Sequence, residues 1–325
     1  MGQGSYHGLA TLVNEELSAG WDRLTVEGAT GDLKAYGNMA WGGAVQGTGG
    51  SSSITTSFDR YRKAGAAARI MLTEAAAKDW GVPASEITVK DGRLSHASGK
   101  SAGFGDMAAK AAQLPVPTDV PLKGRDDWTL IGNGDLRRYD SRAKTDGTHP
   151  FTIDVKLPGM LTAVMIHPPR FGAVVKSFDA AKAKAMKGVV DVVATPRGVA
   201  VVGEHMWAAL AARDAVAVTW DESKAETRGS AAILADYEKR ASGKPLATAR
   251  NDGDAAKAMA GAAKTVAATF RFPYLAHAAM EPLNAVARMN TDGSLEIWGG
   301  HQIPGVYQGI AAGIAGIKPE QVVLH

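Results

Sequence analysis

Two glycine-rich loops, each running into a helix-forming segment, are the residues best suited to hold an anion. The first, Gly2-Gln3-Gly4-Ser5, follows Met1 and opens onto Leu9-Ala10-Thr11-Leu12-Val13-Asn14-Glu15-Glu16-Leu17. The second is Gly42-Gly43-Ala44-Val45-Gln46-Gly47-Thr48-Gly49-Gly50-Ser51-Ser52-Ser53, and it opens onto a segment from Phe58 to Trp80. Backbone N–H groups in such loops converge on an anion, and the helix dipole adds to the field. Two loops suit a ligand with more than one polar or phosphate group. The hydroxyls of Ser51, Ser52 and Ser53 favour anion capture at the second loop. A flexible surface loop is the competing reading of the same residues.

Other chemistries find less support. Gly42 to Gly47 has P-loop spacing, but Thr48-Gly49 follows where Lys-Ser/Thr is needed, so ATP hydrolysis is not expected. Gly47-Thr48-Gly49 lacks the third glycine of a dinucleotide fingerprint. A serine-hydrolase Gly-x-Ser-x-Gly is missing. Glu15 and Glu16 are adjacent on a helix, do not share a face, and are expected to be solvated. His277 and Glu281 have helical metal-pair spacing, but Pro282 favours a structural turn there. Gln302, in Gly299-Gly300-His301-Gln302-Ile303-Pro304, ends a strand before a helix and can donate an amide hydrogen bond into a cleft. Taken alone, a surface glutamine is the plainer reading.

Composition narrows the field. The 325 residues are enough for two or three domains and a sizeable core. A net charge of +3 is too small to argue for nucleic acid, and no basic cluster is interleaved with aromatics. With no cysteine, the chain has no thiol nucleophile and no ligands of its own for an iron–sulfur cluster. No apolar run reaches the roughly 20 residues of a membrane helix, and no export-signal pattern opens the sequence.

These loops need positioning elements, and one local pattern recurs. A helix, a Gly- or Pro-containing turn and a short strand succeed one another at Leu9–Leu17 with Leu24–Glu27. They do so again at Ile70–Trp80 with Ile87–Val89, and at Val306–Ile314 with Val322–Leu324. Such units are common in α/β proteins, so a true repeat and coincidence both stay open. Pro115, Pro117 and Pro121 mark a linker, and Gly132–Ala143 reads as an extended crossing segment. From Phe151 to Trp220 strands and short helices alternate, as in a compact α+β domain. The strands expected there are Phe151–Ile153, Leu161–Ile166, Val189–Val193, Val199–Val202 and Ala215–Val218. The helices are Ala180–Met186 and Met206–Asp214. Glu222–Gly253 reads as a helix and linker, and Ala262–Arg271 and Asn284–Trp298 as strands.

Taken together, the pieces resemble the molybdenum hydroxylases, the xanthine dehydrogenase and aldehyde oxidoreductase family. The resemblance rests on Met1-Gly2-Gln3-Gly4, Thr48-Gly49-Gly50-Ser51-Ser52-Ser53, Asp140–Gly147 and Leu157-Pro158-Gly159-Met160-Leu161. His277-x-x-Met280-Glu281-Pro282 and Gly300-x-Gln302 add to it. It covers essentially the whole chain. The Gly-Gln-Gly motif precedes the middle domain, an order similar to the isoquinoline 1-oxidoreductase beta-subunit and membrane-associated aldehyde dehydrogenase type of large subunit.

The resemblance implies an α+β fold in which partial molybdopterin-binding α/β domains flank an α/β hammerhead domain. Residues 1–135 would be a molybdopterin-binding portion, 136–225 the hammerhead and 226–325 the start of a second molybdopterin-binding portion. The implied cofactor is molybdopterin cytosine dinucleotide with molybdenum. Gln302 matches the glutamine whose amide hydrogen-bonds an oxygen on the metal, and Gln3 and Gly4 match the loop that contacts the pterin. Gly49 and Gly50 match small residues whose backbone lies near the metal. Ser51, Ser52 and Ser53 match the phosphate-side turn. The metal is carried by the cofactor, so no protein metal ligand is expected. The implied reaction is hydroxylation of an electron-poor carbon of an N-heterocycle or aldehyde with oxygen from water, with a glutamate as general base.

Electrons would leave through [2Fe-2S] clusters on a separate small subunit. The remainder of the large subunit is a further implied partner, and a cytochrome c subunit is another candidate. The family's Gly-Gly-Gly-Phe-Gly loop and its general-base glutamate are not found here, and Met1 falls where the motif is usually internal. The expectation is therefore an internal portion of a longer chain, or one product of a split gene, that does not turn over substrate by itself. The alternative is a non-catalytic ligand-binding or assembly module that keeps the fold.

Overall fold

The computed structural model describes residues 2–29 and 31–325. Met1, which belongs to the first motif, lies outside them. The chain forms two compact units, Met1–Val155 with Ala279–His325, and Lys156–Ala278. Among the described residues, no helix is long and apolar enough to cross a membrane.

In the first unit, the helices are α1 (Ser5–Leu17), α2 (Leu33–Tyr36), α3 (Ser52–Trp80), α4 (Phe104–Ala111), α5 (Ser141–Thr145) and, after the second unit, α10 (Pro304–Ala315). Gly4, at φ 82°, turns the chain into α1, and α3 ends on Gly81 at φ 65°, whose N–H caps the Ala77 carbonyl. The strands β1 (Thr88–Lys90), β2 (Arg93–Ser95) and β3 (Ser101–Gly103) form an antiparallel meander. Leu72, Ala75, Ala76, Ile87, Leu94, Met107 and Ala111 bury the C-terminal half of α3 against that meander and α4. A second sheet has the order β11–β10–β9 (Val322–Leu324, Leu295–Trp298, Val286–Met289). There β10 and β11 are parallel, with α10 as the crossover.

Helices α1 and α3 lie side by side. Gly8 faces Ile54, Gly65 faces Val13, and the guanidinium of Arg69 donates to the Glu16 carbonyl at 2.6 Å. Positions advance together along both helices, so they run parallel and both N-terminal loops sit at one end. Gly65 permits the approach: a Cβ there would lie 2.2 Å from the Val13 carbonyl oxygen.

The second unit pairs a three-stranded antiparallel sheet, order β4–β7–β6 (Thr162–Ile166, Gly198–Gly203, Val189–Thr195), with the ribbon β5–β8 (Val174–Asp179, Ala217–Asp221). Helices α6 (Ala181–Lys184) and α7 (Met206–Arg213) close its core of Ala180, Ala183, Val192, Val199, Val201 and Ala212. Helices α8 (Ser230–Ala241) and α9 (Ala255–Ala260) follow.

Three expected strands are not formed. Leu24–Glu27 is unpaired after a 3-10 turn at Trp21–Arg23, and the Leu24 carbonyl accepts instead from the Tyr139 hydroxyl. Phe151–Ile153 gives a 3-10 turn at Thr152–Asp154, with the Asp154 carboxylate accepting from the Phe151 N–H. Ala262–Arg271 has no regular structure. Strand propensity needs a neighbouring strand to act, and none is supplied to these segments by the described residues.

Candidate functional site

The second glycine loop is fixed from below by Asn38. Its side-chain amide donates to the Gly47 carbonyl at 3.0 Å and to the Ser52 hydroxyl at 2.7 Å. The Ser52 hydroxyl in turn donates to the Gly49 carbonyl at 2.6 Å. Ser52 is therefore buried and occupied, while Ser51 is exposed and Ser53 half-buried. The Trp41 ring packs on the loop so closely that a Cβ on Gly47 would lie 2.5 Å from it, and one on Gly49 3.4 Å. Gly50 and Ser51 both adopt left-handed backbone, at φ 59° and 55°, and the space where a Gly50 Cβ would sit is open.

Gln302 is brought directly onto this loop. Its carbonyl accepts from the Thr48 N–H and its side-chain amide donates to the Thr48 carbonyl, both at 3.0 Å. The strand end after β10 and the start of α3 are thereby one assembly. One Gln302 amide hydrogen is engaged, leaving a second donor and the amide oxygen. The Gly2-Gln3-Gly4 loop is placed at the same end by the parallel helices, with Gln3 exposed. Among the described residues, no hydrogen bond joins Gln3 to Thr48 or Gln302. The N-termini of α1 and α3 give this end a positive potential. Beside α3 lies an open cleft of about 670 Å³ lined by Gly37, Met39, Gly43, Thr56, Asp59, Arg60 and Lys63.

Glu15 and Glu16 are not solvated: both side chains are fully buried. Glu16 binds the Arg62 guanidinium at 2.6 and 2.9 Å and accepts from the Lys123 N–H. Glu15 accepts from the N–H groups of Thr129, Leu130 and Ile131 at 2.7 to 3.1 Å and pairs with Lys123. Burial alone would raise the Glu15 pKa. The three N–H donors and Lys123 outweigh it and hold the carboxyl below its ordinary value. Both acids thus pin the 123–131 strap onto α1 and α3, and neither is free to act as a base. Glu281 is likewise structural, accepting from the Thr152 N–H at 2.9 Å and from the Asn284 amide at 3.2 Å.

A molybdopterin cofactor-binding domain model matches residues 1–157, and a second such model matches residues 239–325. The chain belongs to the molybdenum hydroxylase large-subunit family. It is 33% identical to the beta chain of isoquinoline 1-oxidoreductase from Brevundimonas diminuta, over all of this chain and 47% of that protein. It is 32% identical to the membrane-bound aldehyde dehydrogenase [pyrroloquinoline-quinone] of Gluconacetobacter polyoxogenes, over 93% of this chain and 40% of that one. It is 30% identical to a nicotinate dehydrogenase subunit of Pseudomonas putida, over 94% and 25%. The chain thus spans less than half the length of these relatives. Two of them are subunits of multi-subunit enzymes.

The residues present fit a molybdopterin. Gly49 and Gly50 offer bare backbone, with Trp41 packed against Gly47 and Gly49 and open space over Gly50. A flat, phosphate-bearing group needs such a surface, with N–H donors and no side chains in the way. Among the described residues, no group of three or more His, Asp and Glu could hold a metal ion.

Asn38, Trp41 and the strap are not marked by the sequence as site residues. Asn38 alone leaves a signal, as an Asn opening the Asn38–Trp41 turn before a glycine run.

Proposed function

We propose that this chain forms one wall of a molybdopterin cytosine dinucleotide site in an oxidoreductase that hydroxylates an electron-poor carbon of an N-heterocycle or aldehyde. The observation that carries this is the reciprocal pair of hydrogen bonds between Thr48 and Gln302. It joins the two family-matched regions at the residues the family resemblance marks. When bound, the cofactor supplies the two-electron oxidation and delivers the oxygen taken from water.

The chain's own residues bind and orient. Gln302, anchored by one amide hydrogen, directs the other toward the metal centre. Gly49 and Gly50 keep side chains away from it, and Gln3 and Gly4 border the pterin. Ser51, Ser52 and Ser53 form the phosphate-side turn, with Ser52 shaping it and its neighbours facing the ligand. In this reading residues 1–135 and 226–325 are molybdopterin-binding portions and 136–225 the hammerhead. Electrons leave to [2Fe-2S] clusters on a small partner subunit, with a cytochrome c subunit as a later acceptor. Neither buried glutamate is offered as the general base, which this reading assigns to the remainder of the large subunit.

The test is metal and nucleotide analysis of the purified, assembled enzyme. Molybdenum with cytidine monophosphate released on hydrolysis is expected. A bound quinone with no molybdenum would overturn the reading. Assembled enzyme with neither would favour the non-catalytic module.

A further inference from the structure

Beyond the strap, residues 138–140 lie across the first turn of α1. The Arg138 guanidinium donates to the Gly2 carbonyl at 2.8 Å and to Asp140 at 2.8 Å. Lys144 binds the other Asp140 oxygen. The Tyr139 N–H donates to His7 Nδ1 at 3.1 Å. A Cβ on Gly4 would stand 3.4 Å from the Arg138 guanidinium carbon, which packs over the loop. A trans peptide points its C=O and N–H in opposite directions. With the Gly2 carbonyl held by Arg138, the Gln3 N–H is turned away from the guanidinium. Gly2, at φ 71°, has the backbone freedom that would otherwise let this peptide flip.

We propose that Arg138 is a positioning residue that locks the Gly2–Gln3 peptide and so aims the Gln3 N–H into the ligand site, with Asp140 and Lys144 fixing its guanidinium. It acts through the backbone of the loop and does not touch the ligand. The part of this that concerns molybdopterin rests on the function proposed above; the lock itself does not.

The experiment compares the assembled enzyme carrying wild-type chain, Arg138→Ala or Arg138→Lys. It reads hydrogen–deuterium exchange of the peptide spanning residues 2–12 and molybdenum per protein. In Arg138→Ala, exchange of that peptide rises about tenfold, as loss of a charge-assisted hydrogen bond predicts. Molybdenum content falls several-fold, and millimolar methylguanidinium restores both readings where methylammonium does not. Arg138→Lys, which keeps the charge but cannot bridge Gly2 and Asp140 as a fork, shifts exchange in the same direction and covers the case in which the alanine variant does not assemble. Unchanged exchange of residues 2–12 in the variants that assemble overturns the lock. Loosening of that peptide in an enzyme whose wild type holds no molybdenum upholds the lock and overturns the cofactor reading.

Discussion

Gln302 meets the second glycine loop through a side-chain and a backbone hydrogen bond, and the two respond differently to substitution. At this loop, Gln302→Ala removes the bond from its amide to the Thr48 carbonyl and leaves the backbone bond, at a cost of about 1 kcal/mol of stability. Gln302→Glu keeps the size but sets a carboxylate, which cannot donate, against that carbonyl. Cofactor content measured by metal analysis should therefore fall further in Gln302→Glu than in Gln302→Ala. The reverse order would mean that a carboxylate at 302 is not repelled by the Thr48 carbonyl. Gly47 offers a second residue-scale test. Its Cβ position is 2.5 Å from the Trp41 ring, so Gly47→Ala must displace the ring or the loop. Overpacking of this kind costs about 1–3 kcal/mol, and urea unfolding followed by Trp fluorescence would register it.

The parallel contact of α1 with α3 sets the spacing between the two loops, and Gly65 sets that contact. A methyl at 65 would sit 2.2 Å from the Val13 carbonyl oxygen, a backbone atom that cannot swing aside as a side chain can. Gly65→Ala is expected to destabilise the first unit by about 2–4 kcal/mol even though alanine is the better helix former. An unchanged melting temperature would show that the helices are not packed this closely. This contact is invisible in the sequence, because a glycine within Lys63-Ala64-Gly65-Ala66 carries no mark of its distant partner. Elements with local signals are legible: Gly81 and Gly316 stop their helices in left-handed backbone, and the β10–α10–β11 unit follows its Pro304 and Pro319 punctuation. The elements that sequence misplaces are those decided at a distance. Glu15 and Glu16 look like a surface pair until the strap, more than 100 residues on, brings N–H donors to them. Leu24–Glu27 has strand-like residues but no partner strand. Gln302 is marked by family resemblance, while its local sequence alone favours an ordinary surface residue.

Across the whole molecule, the groups whose protonation matters to folding are unevenly shared. Three such groups in the first unit, each touching the strap or the 138–144 segment, are Glu15, Asp140 and His7. Burial works against the charged Asp140, but Lys144 and Arg138 prevail and hold its carboxyl below its ordinary value. His7 is lowered from 6.5 by burial and by Arg138, against a smaller opposing pull from Asp140. For all three, the unfolded chain binds the proton more tightly than the folded one. Their stabilisation is therefore complete above the unfolded pKa values and is lost as pH falls through the folded ones. His7 begins to weaken the fold below about pH 6.5, Glu15 below about pH 4.5 and Asp140 below about pH 3.8. In the second unit, Asp191, Asp221, Glu226 and Glu238 are also held low, but by exposed partners that water and salt screen. Acid should accordingly loosen the first unit before the second. Hydrogen–deuterium exchange from pH 7 to pH 2.5, corrected for intrinsic rates, should show protection falling first in residues 5–17 and 123–131 while β6 and β7 hold. Glu15→Gln should lower stability at pH 7 by about 3 kcal/mol, because an amide cannot satisfy three N–H donors as a carboxylate does. It should also flatten the acid dependence of the first unit. Equal loss of protection in both units, or an acid profile unchanged by Glu15→Gln, would show that the strap carboxylate does not hold this unit together.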